Sequence, residues 1–186
     1  MATARERLLT AAAKRFYSDG VNATGIDTIT AEAGTAKKSL YNNFASKAEL
    51  VGAYIDARHD EWLSLYQARS AQVTTAREQV LAVFDAYIDH ANDAYDSGFR
   101  GCGLLNAAAE FPAGAPAREA VRVHKEQVEQ ILAENLASLT GEENAHALAE
   151  HFSFLLEGAV ARAGLEGNPE LLERARGIAT SMLASL

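Results

Sequence analysis

Six residues in one short run, Lys37, Lys38, Ser39, Tyr41, Asn42 and Asn43, carry side chains nearly all able to hydrogen-bond a phosphate or a base edge. A lysine is a flexible point charge suited to phosphate oxygens or to guanine O6 and N7, and an asparagine can pair bidentately with adenine. This is the chemistry of recognition rather than bond breaking. The chain has no Walker loop, no Gly-x-Gly-x-x-Gly, no Gly-x-Ser-x-Gly and no spaced cysteine set, so no enzymatic activity is expected.

The elements that must position those residues are legible around them. Ile26, Ile29 and Ala33 give a short helix one apolar stripe. Gly34 breaks it where a positive φ is often required, and Leu40 and Phe44 give the next helix its own buried face. Two short helices about a glycine turn match a helix-turn-helix, whose second helix enters the major groove of double-stranded DNA. A first helix over about 3–18 precedes them, with Leu8, Leu9, Ala12, Ala13 and Phe16 on one face. Thr24, with Asp27 three residues on, is the expected N-cap of the second helix. Ser46-Lys47-Ala48-Glu49 is a capping box that starts a further helix at Lys47.

Charge divides along the chain. The whole carries −8, yet residues 1–50 hold seven Lys/Arg against five Asp/Glu, whereas the remainder holds ten against twenty. A mildly basic head (net +2) on an acidic body can meet DNA by one end. At 186 residues and 48% apolar, with three prolines, the chain fits an all-α fold of a small head and one core-bearing body. The single cysteine, Cys102, excludes an intrachain disulfide and fits a reducing compartment; beside Gly101 and Gly103 it reads as a packed thiol, with redox sensing the alternative. With no long apolar run, no membrane association is expected and the simple reading is a soluble cytoplasmic protein.

Nine helices are expected, divided into residues 1–46, the DNA-binding head, and 47–186, the body. The helix from Lys47 runs past Trp62 without a flexible linker. Helix five, about 76–96, repeats at Val80, Phe84, Tyr87, Ile88, Ala91 and Tyr95. A short helix over about 104–110 follows, then a seventh from Pro116 repeating at Val121, His124, Val128, Leu132 and Leu136. Thr140-Gly141-Glu142-Glu143 is expected to cap helix eight, and Asn168-Pro169 to start helix nine. Helix eight is apolar on two sides, and helix nine has a broad stripe. The expected cover is a second copy, in a four-helix homodimer interface using Phe154, Leu155, Gly158, Leu171, Ala175, Ile178 and Met182.

His124 falls on an apolar stripe and, with Tyr87, Tyr95, Trp62 and Tyr66, offers polar points to an aromatic cavity of the kind in which helical bundles hold small molecules. The candidate effector-binding set is Trp62, Tyr66, Phe84, Tyr87, Ile88, Leu105, His124, Val128 and Phe152; ordinary core packing is the alternative for each. Glu143-x-x-His146 has di-iron spacing, but such a centre needs two of these motifs, so no metal and no cofactor are expected.

The run GVNATGIDTITAEAGTAKKSLYNNFASKAEL after one amphipathic helix resembles the head of the tetracycline-repressor (TetR) family of bacterial transcription regulators. The resemblance implies three DNA-binding helices followed by six for effector binding and dimerisation. It puts Thr24, Lys37, Tyr41 and Lys47 where the family commonly contacts phosphates or the groove. Thr35, Lys38, Ser39 and Asn42 fall where base or backbone readers sit. Two departures are visible. Thr35-Ala36 replaces the frequent Val-Ser, so Thr35 is expected to stand in for the lost serine cap, and Asn43 replaces a frequent histidine. The function implied is a repressor on a palindromic operator, released by a small, largely apolar effector. An activator, an effector-independent DNA binder and, more distantly, a helical metal-dependent enzyme are the alternatives.

Overall fold

The structure, a computed structural model, describes residues 2–93 and 98–186; Tyr95 and the expected end of helix five lie outside them. The described residues form nine α-helices and no strand: α1 (Ala4–Asp19), α2 (Ile26–Glu32), α3 (Lys37–Asn43), α4 (Lys47–Ser70), α5 (Ala76–Asn92), α6 (Gly103–Ala109), α7 (Pro116–Thr140), α8 (Glu142–Glu166) and α9 (Glu170–Ala184). They group into two compact units, Met1–His59 with Gly103–Arg122, and Asp60–Cys102 with Val123–Leu186. The expected boundary at 46/47 is where α4 begins; the compact units divide within α4, so the start of that helix and all of α6 fall in the unit that holds the head.

The first unit forms around α1. Thr3 and Glu6 close a reciprocal capping box at its start, and Leu8, Ala12 and Phe16 bury with Ile29, Leu40, Phe44 and Leu50. Phe16 meets Tyr54 edge-to-face at 5.5 Å. Lys14 Nζ lies 3.1 Å from Glu32 Oε1 and Arg15 Nη2 2.5 Å from Glu32 Oε2, joining α1 to the end of α2. Gly34 turns the chain from α2 to α3 at φ 59°, which an L side chain rarely adopts. Ser46 Oγ accepts from the Glu49 N–H, as expected, but the Glu49 carboxylate accepts from Ala45 N–H rather than from the cap residue itself. The Glu110 carboxylate accepts the N–H groups of Val21 (2.7 Å) and Asn22 (2.6 Å), and Asn22 Nδ2 donates to the Glu110 carbonyl. The segment between α1 and α2 is thereby fastened to the residue after α6.

Two expected caps are corrected. The N-cap of α2 is Gly25, without a side-chain bond, because the Thr24 hydroxyl instead donates to the carbonyls of Gly20 (2.7 Å) and Arg15 (3.2 Å). Gly141 caps α8 at φ 79°, again without a side-chain bond, and the Thr140 hydroxyl turns back to Leu136 O.

In the second unit α5, α7, α8 and α9 bury a continuous core that includes Val83, Phe84, Leu132, Leu136, Phe152, Leu156 and Leu172. Phe84 and Phe152 meet edge-to-face at 6.1 Å. Arg176 grips Asp85 with two hydrogen bonds (2.6 and 3.1 Å), tying α9 to α5 in the fork geometry that suits a carboxylate. A Cβ on Gly164 would fall 2.5 Å from the Gly101 nitrogen, so the α8 backbone and the segment before α6 approach as only glycine allows.

Candidate functional site

α3 is a seven-residue helix held from beneath by Leu40 and from its end by Phe44, both fully buried. With those anchors fixed, the helical period turns Lys37, Lys38, Tyr41 and Asn42 outward together, all of them exposed. Tyr41 is 50% exposed, a large ring left facing solvent. Lys37 Nζ lies 3.0 Å from Asp27 Oδ1, and the hydrogen bond and charge of Asp27 hold its ammonium above the ordinary lysine range. The first residue of α4, Lys47, is half-buried.

The remaining expected contacts stand differently. Asn43 Nδ2 donates to Ser39 O at 2.8 Å, so part of that amide is committed within the helix, and both residues are half-buried. Thr35 does not replace the missing serine cap: Ala36 is the N-cap of α3, no side chain caps it, and the buried Thr35 Oγ1 has no partner among the described residues. Thr24 is 2% exposed with its hydroxyl given to two carbonyls, which makes its side chain a packing element of the head.

The second unit gathers an aromatic cluster about Trp62. Its ring stacks on Tyr66 (5.7 Å, 3° between planes), tilts against Tyr87 (5.5 Å) and meets His124 edge-on (5.6 Å). His124, Val128, Phe84 and Phe152 are buried, and Ile88 is half-buried. Leu105 lies on α6 in the first unit, exposed, while its neighbour Leu104 is buried.

Two charged residues of the cluster escaped the sequence reading. Lys125 Nζ donates to Tyr87 Oη (3.1 Å) and pairs with Glu157 Oε1 (2.7 Å). Burial works against the Lys125 charge, but the acidic groups near it, Cys102, Tyr87 and Glu157, hold the ammonium well above its usual range. Burial also pushes the Tyr87 phenol upward, so it stays neutral at physiological pH. The available signal was Glu157 itself, a lone charge within the apolar run Phe154–Val160.

On the outer side of α8 and α9, Phe154 is 67% and Ile178 51% exposed. A groove of about 440 Å³ is lined by Phe154, Leu155, Gly158, Leu171, Ala175 and Ile178, together with Arg162 and Arg174. Met182 is half-buried nearby in sequence, and Ala175 is already buried within one chain. Among the described residues no group of three His, Cys, Asp or Glu is placed to hold a metal, and none of their helices is long and apolar enough to cross a membrane.

A three-helix head with an outward polar third helix, followed by an α-helical body, defines a helix-turn-helix protein. Residues 8–54 match the family described as bacterial regulatory proteins, tetR family, and residues 76–179 match the tetracyclin repressor-like C-terminal domain. The chain belongs to the tetR family. It is 33% identical to SCO4454, a TetR-family transcriptional regulator from Streptomyces coelicolor, at a TM-score of 0.86 over 97% of this chain and 93% of that one. A TetR transcriptional regulator from Chloroflexus aurantiacus is 25% identical, at a TM-score of 0.82 over 97% and 94% of the two chains. The HTH-type transcriptional activator FasR of Mycolicibacterium smegmatis is 34% identical over 85 residues, 46% of this chain; the match spans 39% of that relative's length.

Proposed function

We propose that this regulator binds a palindromic operator as a homodimer in the cytoplasm, and that it represses transcription until a small effector enters the second unit. The observation that carries the reading is the outward face of α3, where Lys37, Lys38, Tyr41 and Asn42 stand exposed over the buried Leu40 and Phe44. Lys37, Lys38 and Lys47 supply charge for phosphates, and Asn42 is the candidate adenine reader, with Tyr41, Ser39, Thr35 and Asn43 as groove or backbone contacts. The exposed Phe154 and Ile178 support pairing of two chains through α8 and α9, which presents two heads to half-sites about one helical turn apart. The aromatic cluster about Trp62 supports the effector reading. By linkage, an effector that weakens operator binding is itself weakened by the operator to the same degree, typically ~1–3 kcal/mol.

The test is a footprint of the protein on DNA flanking its own gene. Saturable protection of two symmetric half-sites supports the reading, and absence of any protected segment at low ionic strength overturns it. The name of the Mycolicibacterium relative favours activation as a second reading. A reporter fused to the protected promoter separates the two: deletion of the regulator raises expression under repression and lowers it under activation.

A further inference from the structure

We propose that the effector is a flat, unsaturated molecule bearing two polar points, a hydrogen-bond acceptor for the Trp62 indole N–H and a donor for the Glu157 carboxylate. The inference rests on the reading that the second unit holds an effector, and it names that molecule's chemistry.

Two atoms carry it. Trp62 is 3% exposed, yet its Nε1 has no hydrogen-bond partner among the described residues. An indole N–H buried without an acceptor is costly, and buried tryptophans usually find one. Glu157 Oε2 is likewise buried and without a partner, although Oε1 of the same carboxylate is engaged by Lys125 at 2.7 Å. One missing acceptor and one missing donor are therefore joined by a short chain of contacts. The Trp62 ring lies 5.5 Å from the Tyr87 ring, Tyr87 Oη lies 3.1 Å from Lys125 Nζ, and Lys125 meets Glu157.

The neighbouring groups restrict the class further. Tyr66 stacks on the indole and Tyr87 tilts against it, so the surroundings of the unpartnered N–H are aromatic, which favours a planar molecule. Lys125 is already neutralised by Glu157, so an anionic ligand would have to break that pair, whereas a neutral phenol or an amine can add to the idle Oε2 without disturbing it. An aryl ketone or amide carrying a hydroxyl or amino group meets all of these demands. A purely apolar effector leaves both buried atoms unsatisfied.

Trp62 is the only tryptophan, so its fluorescence reports this place alone. The probes are 4-hydroxyacetophenone (acceptor and donor), acetophenone (acceptor only), phenol (donor only) and toluene (neither), each titrated into the full-length protein by calorimetry and by indole emission. The expected order of affinity is 4-hydroxyacetophenone first, the two single-point probes next and toluene last, with about tenfold gained per polar point. Glu157→Gln is expected to remove most of the advantage of 4-hydroxyacetophenone over acetophenone. Trp62→Phe, checked by circular dichroism for retained fold, is expected to remove the advantage of acetophenone over toluene. Equal affinities for all four probes, or an advantage that survives both substitutions, overturns the proposal. Operator binding is measured on the same preparations: a footprint without probe discrimination refutes only the effector chemistry, and loss of any footprint refutes the regulator reading itself.

Discussion

The Glu110 carboxylate accepts the backbone N–H of Val21 at 2.7 Å across 89 positions of sequence, and its second oxygen takes the N–H of Asn22. A single side chain thus satisfies two amides where the chain leaves α1 and prepares to enter α2. The position of α2, and with it the glycine turn into α3, depends on an anchor outside the first fifty residues.

Glu110→Ala leaves both amides without that acceptor, at a cost of roughly 1–3 kcal/mol. For a chain of this size the melting temperature is expected to fall by roughly 2–4 °C per kcal/mol. Glu110→Gln retains one acceptor oxygen, and an intermediate loss is expected. Scanning calorimetry of the three proteins checks this, and a Glu110→Ala melt equal to the parent's refutes the anchor.

Lys47→Ala is expected to weaken binding to operator and to unrelated DNA by the same factor, and to lower the slope of log affinity against log salt by about 0.9. Asn42→Ala is expected to act differently, costing ~1–3 kcal/mol on the operator and little elsewhere, because a base-edge contact carries sequence information. Titrations at several salt concentrations on both DNAs distinguish the two residues.

Ile178→Glu places a charge on a face that is half exposed in one chain and buried if two chains pair there. Sedimentation of the variant is expected to show single chains at concentrations where the parent sediments as a pair, with helicity by circular dichroism unchanged. A paired variant would move the interface elsewhere.

The Glu32 carboxyl is held below its ordinary 4.5, chiefly by the hydrogen bond from Arg15 and then by that from Lys14. A depressed carboxylate contributes stability that is complete above the unfolded value and disappears as pH falls through the folded one. The gap in urea midpoint between the parent and Glu32→Gln is therefore expected at neutral pH and expected to shrink as pH falls below the ordinary carboxyl range and through the folded-state value. A gap that persists in acid assigns the effect to packing instead.

Where sequence sufficed, a local rule was at work. The 3.6-residue spacing of Leu40 and Phe44 fixed which face of α3 looks outward, and the hydroxyl of Ser46 with Glu49 marked the start of α4. Local rules also produced the errors. Thr24 has the right residue type for a cap, but the Gly20 and Arg15 carbonyls compete for its hydroxyl, and Gly25 takes the position. Glu110 with Val21 and Lys125 with Glu157 were invisible, since each pairing joins positions far apart in the chain and depends on tertiary packing.

Asp27, paired with Lys37, is a resident rival for the phosphate that Lys37 is proposed to meet. An arbitrary duplex must displace that carboxylate and recovers only one weak, screened attraction for doing so. A matched site repays the exchange through base contacts that arbitrary duplex lacks. Under the proposed operator reading, idle residence on the rest of a genome is expected to be shortened and the protein left freer to scan.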